Sequence, residues 1–141
     1  MPTRDIRSDL LPQLAMNQNI TSNTTTNGFI FDTANFDGGI VFTLALTAFT
    51  DGTYTPSFEE GEDAGLSDAA TVPAASIIGT TAGAVLTALT AEGDILPSLG
   101  LVGTKRFVRL VITSTGVTTG ADLVSEVLQS AEIKPDTGLS A

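Results

Sequence analysis

The chain of 141 residues contains no cysteine, no histidine and no tryptophan. Without thiolate or imidazole, cysteine catalysis, Ser-His nucleophiles, zinc fingers, haem ligation and disulfide staples are excluded. Basic residues are scarce: six Lys and Arg stand against sixteen Asp and Glu, a formal charge of -10. A field of that sign opposes phosphate backbones and anionic bilayers, so neither nucleic acid nor membrane is an expected partner. Aromatics are few, with one Tyr and seven Phe, which leaves a sugar-binding platform poorly supplied. No apolar run approaches the roughly 18 residues of a membrane-spanning helix.

What is present is apolar and β-branched. Hydrophobic residues make up 42% of the chain, enough for one core and one domain at this length. The opening, MPTRDIRSDLLPQLAM, is broken by Pro12 and Gln13 and carries Asp5 and Asp9 beside Arg4 and Arg7. It lacks the uninterrupted apolar stretch and cleavage site of a signal peptide, so synthesis in a cytoplasm is expected. Residues 1–16 read as an N-terminal arm. Ile6, Leu10, Leu11 and Leu14 would be exposed on a free arm, so they are expected either to dock on a partner or to pack on their own domain.

From Asn17 on, Thr, Gly, Val, Ile and Ala dominate and turn residues recur every few positions, the pattern of short strands in a sandwich or barrel. Candidate strands are Asn17–Thr24, Gly28–Asp32, Gly39–Phe49, Tyr54–Glu60, Ala84–Leu89, Ile95–Val102, Arg106–Thr115 and Asp122–Ile133. Gly61–Ala75 reads as an acidic loop with room for one helical turn. No helical stripe persists for three turns, so no long helix is expected. The domain is placed at 17–134, with a tail at 135–141.

Two hairpins are predicted. In the first, Ile40, Phe42, Leu44, Leu46 and Ala48 form a continuous apolar face. A three-residue loop with Gly52 at positive φ would pair Ala48 with Tyr54 and Leu44 with Phe58, leaving Pro56 opposite Leu46 on an edge. In the second, a turn near Val117 would set Val108 against Val127, Ile112 against Leu123 and Leu110 against Ser125. The other face would hold Phe107 with Leu128, Val111 with Val124, and Arg109 with Glu126. Both faces are largely apolar, so the outer one is either a subunit contact or covered by the chain's own loops.

No constellation points to chemistry. Glu59, Glu60, Glu62 and Asp63 lack the spacing of a calcium loop, and a solvated acidic loop is the better reading. Lys105 and Lys134, the only lysines, lie in no S-x-x-K pattern. The glycines form no phosphate loop. Two glycosylation sequons, at Asn19 and Asn23, are discounted for want of a secretory route. No catalytic, cofactor or metal residue is expected, and the chain is not expected to be an enzyme. The basic group Lys105, Arg106 and Arg109 would either pair within the chain or meet an acidic partner.

The segments FTLALTAFTDGTYTPSFEEGEDA and GLVGTKRFVRLVITSTGVTTGADLVSEVLQ resemble small structural proteins of tailed bacteriophages and prophages. There a strand running into T-D-G-T-Y-T-P and an E-E loop is followed by V-G-x-K-R-F/Y-V-R and a glycine-bearing turn into the last strand. The matching positions are Thr50, Asp51, Gly52, Tyr54, Pro56, Glu59, Glu60, Gly103, Lys105, Arg106, Phe107, Val108 and Arg109. The likeness spans most of 28–131. It implies an all-β, antiparallel, jelly-roll-like sandwich that decorates or cements the outside of a phage head. Its partners would be the major capsid protein and further copies of itself, as a dimer or trimer, with no cofactor. Ile6, Leu10, Leu11, Leu14, Lys105, Arg106, Phe107 and Leu128 are the candidate contacts. A tail-tube, tail-completion or fibre component, or a carbohydrate-binding module, are the alternative expectations.

Overall fold

Two antiparallel sheets carry nearly all the regular structure of the computed structural model, which describes residues 10–34 and 40–130. The strands are β1 (Leu10–Ile20), β2 (Thr25–Asn27), β3 (Phe31–Asp32), β4 (Ile40–Phe49), β5 (Thr53–Gly61), β6 (Ala70–Thr71), β7 (Ile77–Ile78), β8 (Ser98–Leu101), β9 (Phe107–Thr115) and β10 (Ala121–Ser130). The first sheet runs β1-β10-β4-β8-β7 and the second β2-β9-β5-β6, with β3 also on β9. The chain is an all-β antiparallel sandwich.

Period-two alternation decides what each sheet buries. Ile40, Phe42, Leu44 and Leu46 of β4 point inward and are buried, as do Leu123, Ser125 and Val127 of β10. Val108, Leu110 and Ile112 of β9 meet them from the second sheet, with Tyr54 and Phe58 of β5. Each large apolar side chain among these contributes about 1.5–3 kcal/mol by leaving water. The alternation of β4 fails at its end. Leu46 pairs Leu123 but Ala48 pairs Asp122, so Thr47 is an extra residue that turns Ala48 outward and Phe49 toward the core.

Both predicted hairpins are corrected by the topology. β4 and β5 do not pair; neither do β9 and β10. β4 lies in the first sheet beside β10, and β5 in the second beside β9, with Phe58 opposite Leu110 and Tyr54 opposite Ser114. The core-facing set of β4 was assigned correctly from Ile40 to Leu46, but Ala48, placed in that set, faces outward past the bulge. Two apolar faces that meet across a sandwich carry the same alternation as two that pair side by side, so the pattern does not separate the cases. Gly52 does take a positive φ, 107°. Pro56 lies opposite Ile112, not Leu46. On the outer side of β5, Tyr54 exchanges bonds with Leu86 and the Phe58 carbonyl accepts the Val72 N–H. Pro56 falls between them, at a position that needs no donor.

The arm boundary is also corrected. Leu10–Met16, assigned to the arm, belongs to β1, whose backbone pairs with β10 from Leu10 opposite Ser130 to Ile20 opposite Ala121. A bulge at Ala15 buries both Ala15 and Met16, which erases the alternation that would have marked a strand. Ala84–Leu89 forms no strand beyond the bridge of Leu86 to Tyr54. The predicted loop over 61–75 contains β6, and its one short helical turn lies at Ala74–Ser76. Ile6, residues 131–133 of the last predicted strand and the tail at 135–141 lie outside the described residues.

Two straps close the open sides of the sandwich. On one side the Gly28 N–H bonds to the Leu110 carbonyl of the second sheet (2.8 Å) and the Phe29 N–H to the Ala15 carbonyl of the first (2.9 Å). A side chain at Gly28 would run into both of those carbonyls, so the strap requires glycine there. On the other side Leu86 pairs with Tyr54 of the second sheet, and the Thr90 N–H bonds to Leu46 of the first (3.0 Å).

Candidate contact surfaces

The candidate contacts fall into two separate groups. Leu14 and Leu128 belong to the outer face of the first sheet. Pro12, Leu128, Val41, Gly100 and Ile78 stand in register across all five of its strands. Leu14 sits one step along, opposite Glu126, and is exposed. Leu128 and Val41 are half-buried, and Ile78 is exposed. Leu10 and Leu11 join this sheet through their backbones.

Lys105, Arg106 and Phe107 lie at the end of the second sheet, where β9 begins. Arg106 grips Asp32 with Nε and Nη2, at 3.0 and 2.9 Å, and its guanidinium stacks 5.0 Å from the Phe107 ring centroid. The Arg106 bond, then the Ala34 N–H, holds the Asp32 carboxyl below its ordinary pKa. Arg109 does not pair with Glu126, which lies on the opposite sheet. Its partner is Glu59, its neighbour across the β5–β9 ladder, reached at 2.8 Å from Nε. Pairing within the chain is therefore the role of Arg106 and Arg109 here, while Lys105 is exposed. The Lys105 backbone N–H bonds to the buried Glu60 carboxylate at 2.9 Å.

The acidic stretch is tied to its own backbone. Asp63 accepts from the N–H groups of Gly65 and Ser67, and Asp68 from those of Glu62 and Asp63. These bonds hold both carboxyls below their usual pKa, the Ser67 N–H leading for Asp63 and the Glu62 N–H for Asp68. Among the described residues no group of three acidic side chains converges on a metal position. Nor is any described helix long and apolar enough to cross a membrane.

Sequence reasoning singled out Leu14 but missed the other exposed apolar side chains at the edges of the first sheet. Of the seven large hydrophobic side chains exposed among the described residues, five lie between Ile78 and Val102, on the β7–β8 side. The other two, Leu14 and Phe29, flank β1 at the opposite edge. Ile95 is 96% exposed. The signal was the sequence E-G-D-I-L-P, in which a turn carries two large apolar residues that no strand can bury. Comparison of the chain with family models, curated proteins and solved structures returned no match.

Proposed function

We propose that this chain is a structural virion protein that binds the outside of a tailed-phage head and stabilises the shell. The observation that carries the reading is the strand order. With β2 and β3 counted as one broken strand on β9, and the two-residue β7 set aside as an added edge strand, the sheets run 1-8-3-6 and 2-7-4-5. In that numbering strands adjacent in sequence lie in opposite sheets except for the paired 4 and 5, and the order supports a jelly roll, an architecture used in viral capsid and lectin domains. Fold alone does not assign a role. The phage-like segments supply the second support. Their matching positions lie on neighbouring strands β5 and β9 and on the segments leading into them, with Glu59 on Arg109 and Glu60 on the Lys105 backbone, so they act as one scaffold unit.

A cement protein must repeat one contact at many identical positions and resist outward pressure without performing chemistry. A sandwich closed by straps on both sides suits that load, and multiple weak contacts on a lattice add through avidity. The acidic surface keeps free copies apart before docking.

The deciding experiment images phage particles and measures binding of purified protein to emptied heads. Density on the shell exterior, with a copy number commensurate with its lattice, is expected. Density on the tail, or no binding to heads, would overturn the reading.

A further inference from the structure

We infer that Asn27–Gly28 is a self-modification site guarded by the Gly28–Phe29 strap. When the strap opens, the Gly28 nitrogen closes onto the Asn27 carboxamide, and the main product keeps the strap from closing again. Nothing in this chemistry depends on a role in the virion. Asn27–Gly28 is the only Asn-Gly step in the chain. The fold itself dictates its second residue, because a Cβ at Gly28 would lie 2.9 Å from the Ala15 carbonyl oxygen and 3.0 Å from that of Leu110. With no side chain, glycine also leaves its backbone nitrogen the least hindered for attack and its backbone the most free to turn. The other described asparagines, Asn17, Asn19 and Asn23, are followed by Gln, Ile and Thr.

The reaction needs only water as co-reactant. The Gly28 amide loses its proton and its nitrogen bonds to Asn27 Cγ. The Cγ–Nδ2 bond breaks and ammonia leaves, which closes a five-membered succinimide ring. Water then opens the ring at one of its two carbonyls. Cleavage between Cγ and the ring nitrogen gives aspartate on an unchanged backbone. Cleavage at the main-chain carbonyl gives isoaspartate, the larger share because that carbonyl is the more electrophilic. Asn27 is exposed, and a groove of about 420 Å³ runs past both residues, so water reaches the site.

The closed strap blocks ring formation. Closure needs the Gly28 nitrogen nearly eclipsed with Cβ about the Asn27 Cα–C bond. Asn27 ends β2 opposite Val111, and a strand backbone, with ψ of about +135°, turns the two well apart. The Gly28 N–H is committed to the Leu110 carbonyl at 2.8 Å, and the Phe29 N–H to Ala15 of the other sheet at 2.9 Å. Both bonds must break before attack. β2 is three residues long at a sheet edge, so this segment opens ahead of the core. The same contacts make the change one-way. Isoaspartate routes the backbone through Cβ and Cγ, which inserts an atom between the position opposite Val111 and the Gly28 N–H. That atom throws the strap out of register with Leu110 and Ala15, and a charged carboxylate stands where the Asn27 peptide carbonyl was.

The test holds the full chain in one mildly alkaline buffer, native and in a series of urea concentrations, and maps its peptides by mass over time. Exchange of NH2 for OH at Asn27, mostly as isoaspartate, is expected to run about tenfold or more faster in the unfolded chain, since two hydrogen bonds guard the native one. The rate should begin to climb at urea concentrations below the global transition. Phe29→Pro deletes the bond to Ala15 while keeping Asn27–Gly28, and should speed the reaction several-fold in native buffer. After return to native buffer, the aspartate form and directly made Asn27→Asp should protect the Gly28 amide from hydrogen exchange, and the isoaspartate form should not. Equal rates in native and unfolded protein, or a rate that rises only with global unfolding, would overturn the guard. Faster modification of another asparagine in the unfolded chain would overturn the site. Full protection of Gly28 in the isoaspartate form would overturn the one-way change.

Discussion

The Asp51 carboxylate accepts the backbone N–H of Gly120 at 2.9 Å, joining two turns 69 positions apart in the chain. The same carboxylate accepts from Thr118 and Thr119 at 3.1 Å, and the Tyr54 hydroxyl donates to the Asp51 carbonyl. Asp51 follows β4 and the 118–120 segment precedes β10, so this one side chain fastens both inter-sheet crossings at one end of the sandwich. Asp51→Ala removes every acceptor and Asp51→Asn keeps a single oxygen. Urea unfolding should give midpoints in the order native, Asn, Ala, with Asn well below native. Equal midpoints for native and Ala would refute the fastening role.

The same group makes stability depend on acid. Partial burial works against ionisation of Asp51, but the N–H groups of Gly120, Thr118 and Thr119 outweigh it and lower its pKa. Asp32, Asp63 and Asp68 are lowered too. Each binds its proton less tightly folded than unfolded, so its contribution is complete above the unfolded value of about 4. It is lost as pH falls below that value through the native ones. Thermal midpoints should be flat from pH 7 to about 5 and fall below about pH 4, with a shallower fall in Asp51→Asn. A midpoint that holds down to pH 2.5 would contradict this.

Removal of residues 1–16 is expected to destabilise the domain, because it takes Leu10–Met16 out of β1 and uncovers the edge of β10. Loss of the buried Met16 alone is worth about 2–5 kcal/mol on the scale of large-to-small core changes. Chemical denaturation of the truncated chain checks this. Unchanged stability would mean that the β1–β10 pairing contributes nothing.

Strand positions were legible because alternation is local: β4, β5 and β9 lie within one residue of where the pattern places them, and β10 begins within one. Strand partners were not. Ile112 faces core whether Leu123 pairs beside it or packs across from it, and only long-range assembly separates the two. The first half of β1 was hidden for a local reason, since Pro12, Gln13 and the bulge at Ala15 give Leu10–Met16 no period, while Asn17–Ile20 falls within the predicted strand Asn17–Thr24. The partner of Arg109 followed from the same error. An outward residue of β9 sees its sheet neighbour Glu59, while Glu126 looks out from the other sheet.

Glu59 and Arg109 are the pair to measure by a double-mutant cycle. Their side chains are 29% and 18% exposed, so solvent still screens them. Glu59→Gln and Arg109→Met, singly and together, should give a coupling of about 1 kcal/mol, falling in high salt. A coupling near zero would reduce the contact to packing of the arginine stem.

Ser125 is a place where the described core spends stability, and the buried Gln129 Oε1 on the same strand likewise lacks a partner. The serine is fully buried in the middle of β10, between Met16 and Leu44, and its hydroxyl has no hydrogen-bond partner. A buried hydroxyl without a partner costs about 1–3 kcal/mol, and removing one oxygen leaves a void far smaller than a methyl deletion does. Ser125→Ala is therefore expected to stabilise the fold by about 1 kcal/mol. Ser125→Val removes the same hydroxyl but adds carbon where the surrounding side chains are already fully buried, so overpacking should cancel the gain. Urea titrations of the two variants separate the effects. A loss of stability in Ser125→Ala would show that the hydroxyl finds a partner in solution and that the core is better satisfied than its geometry indicates.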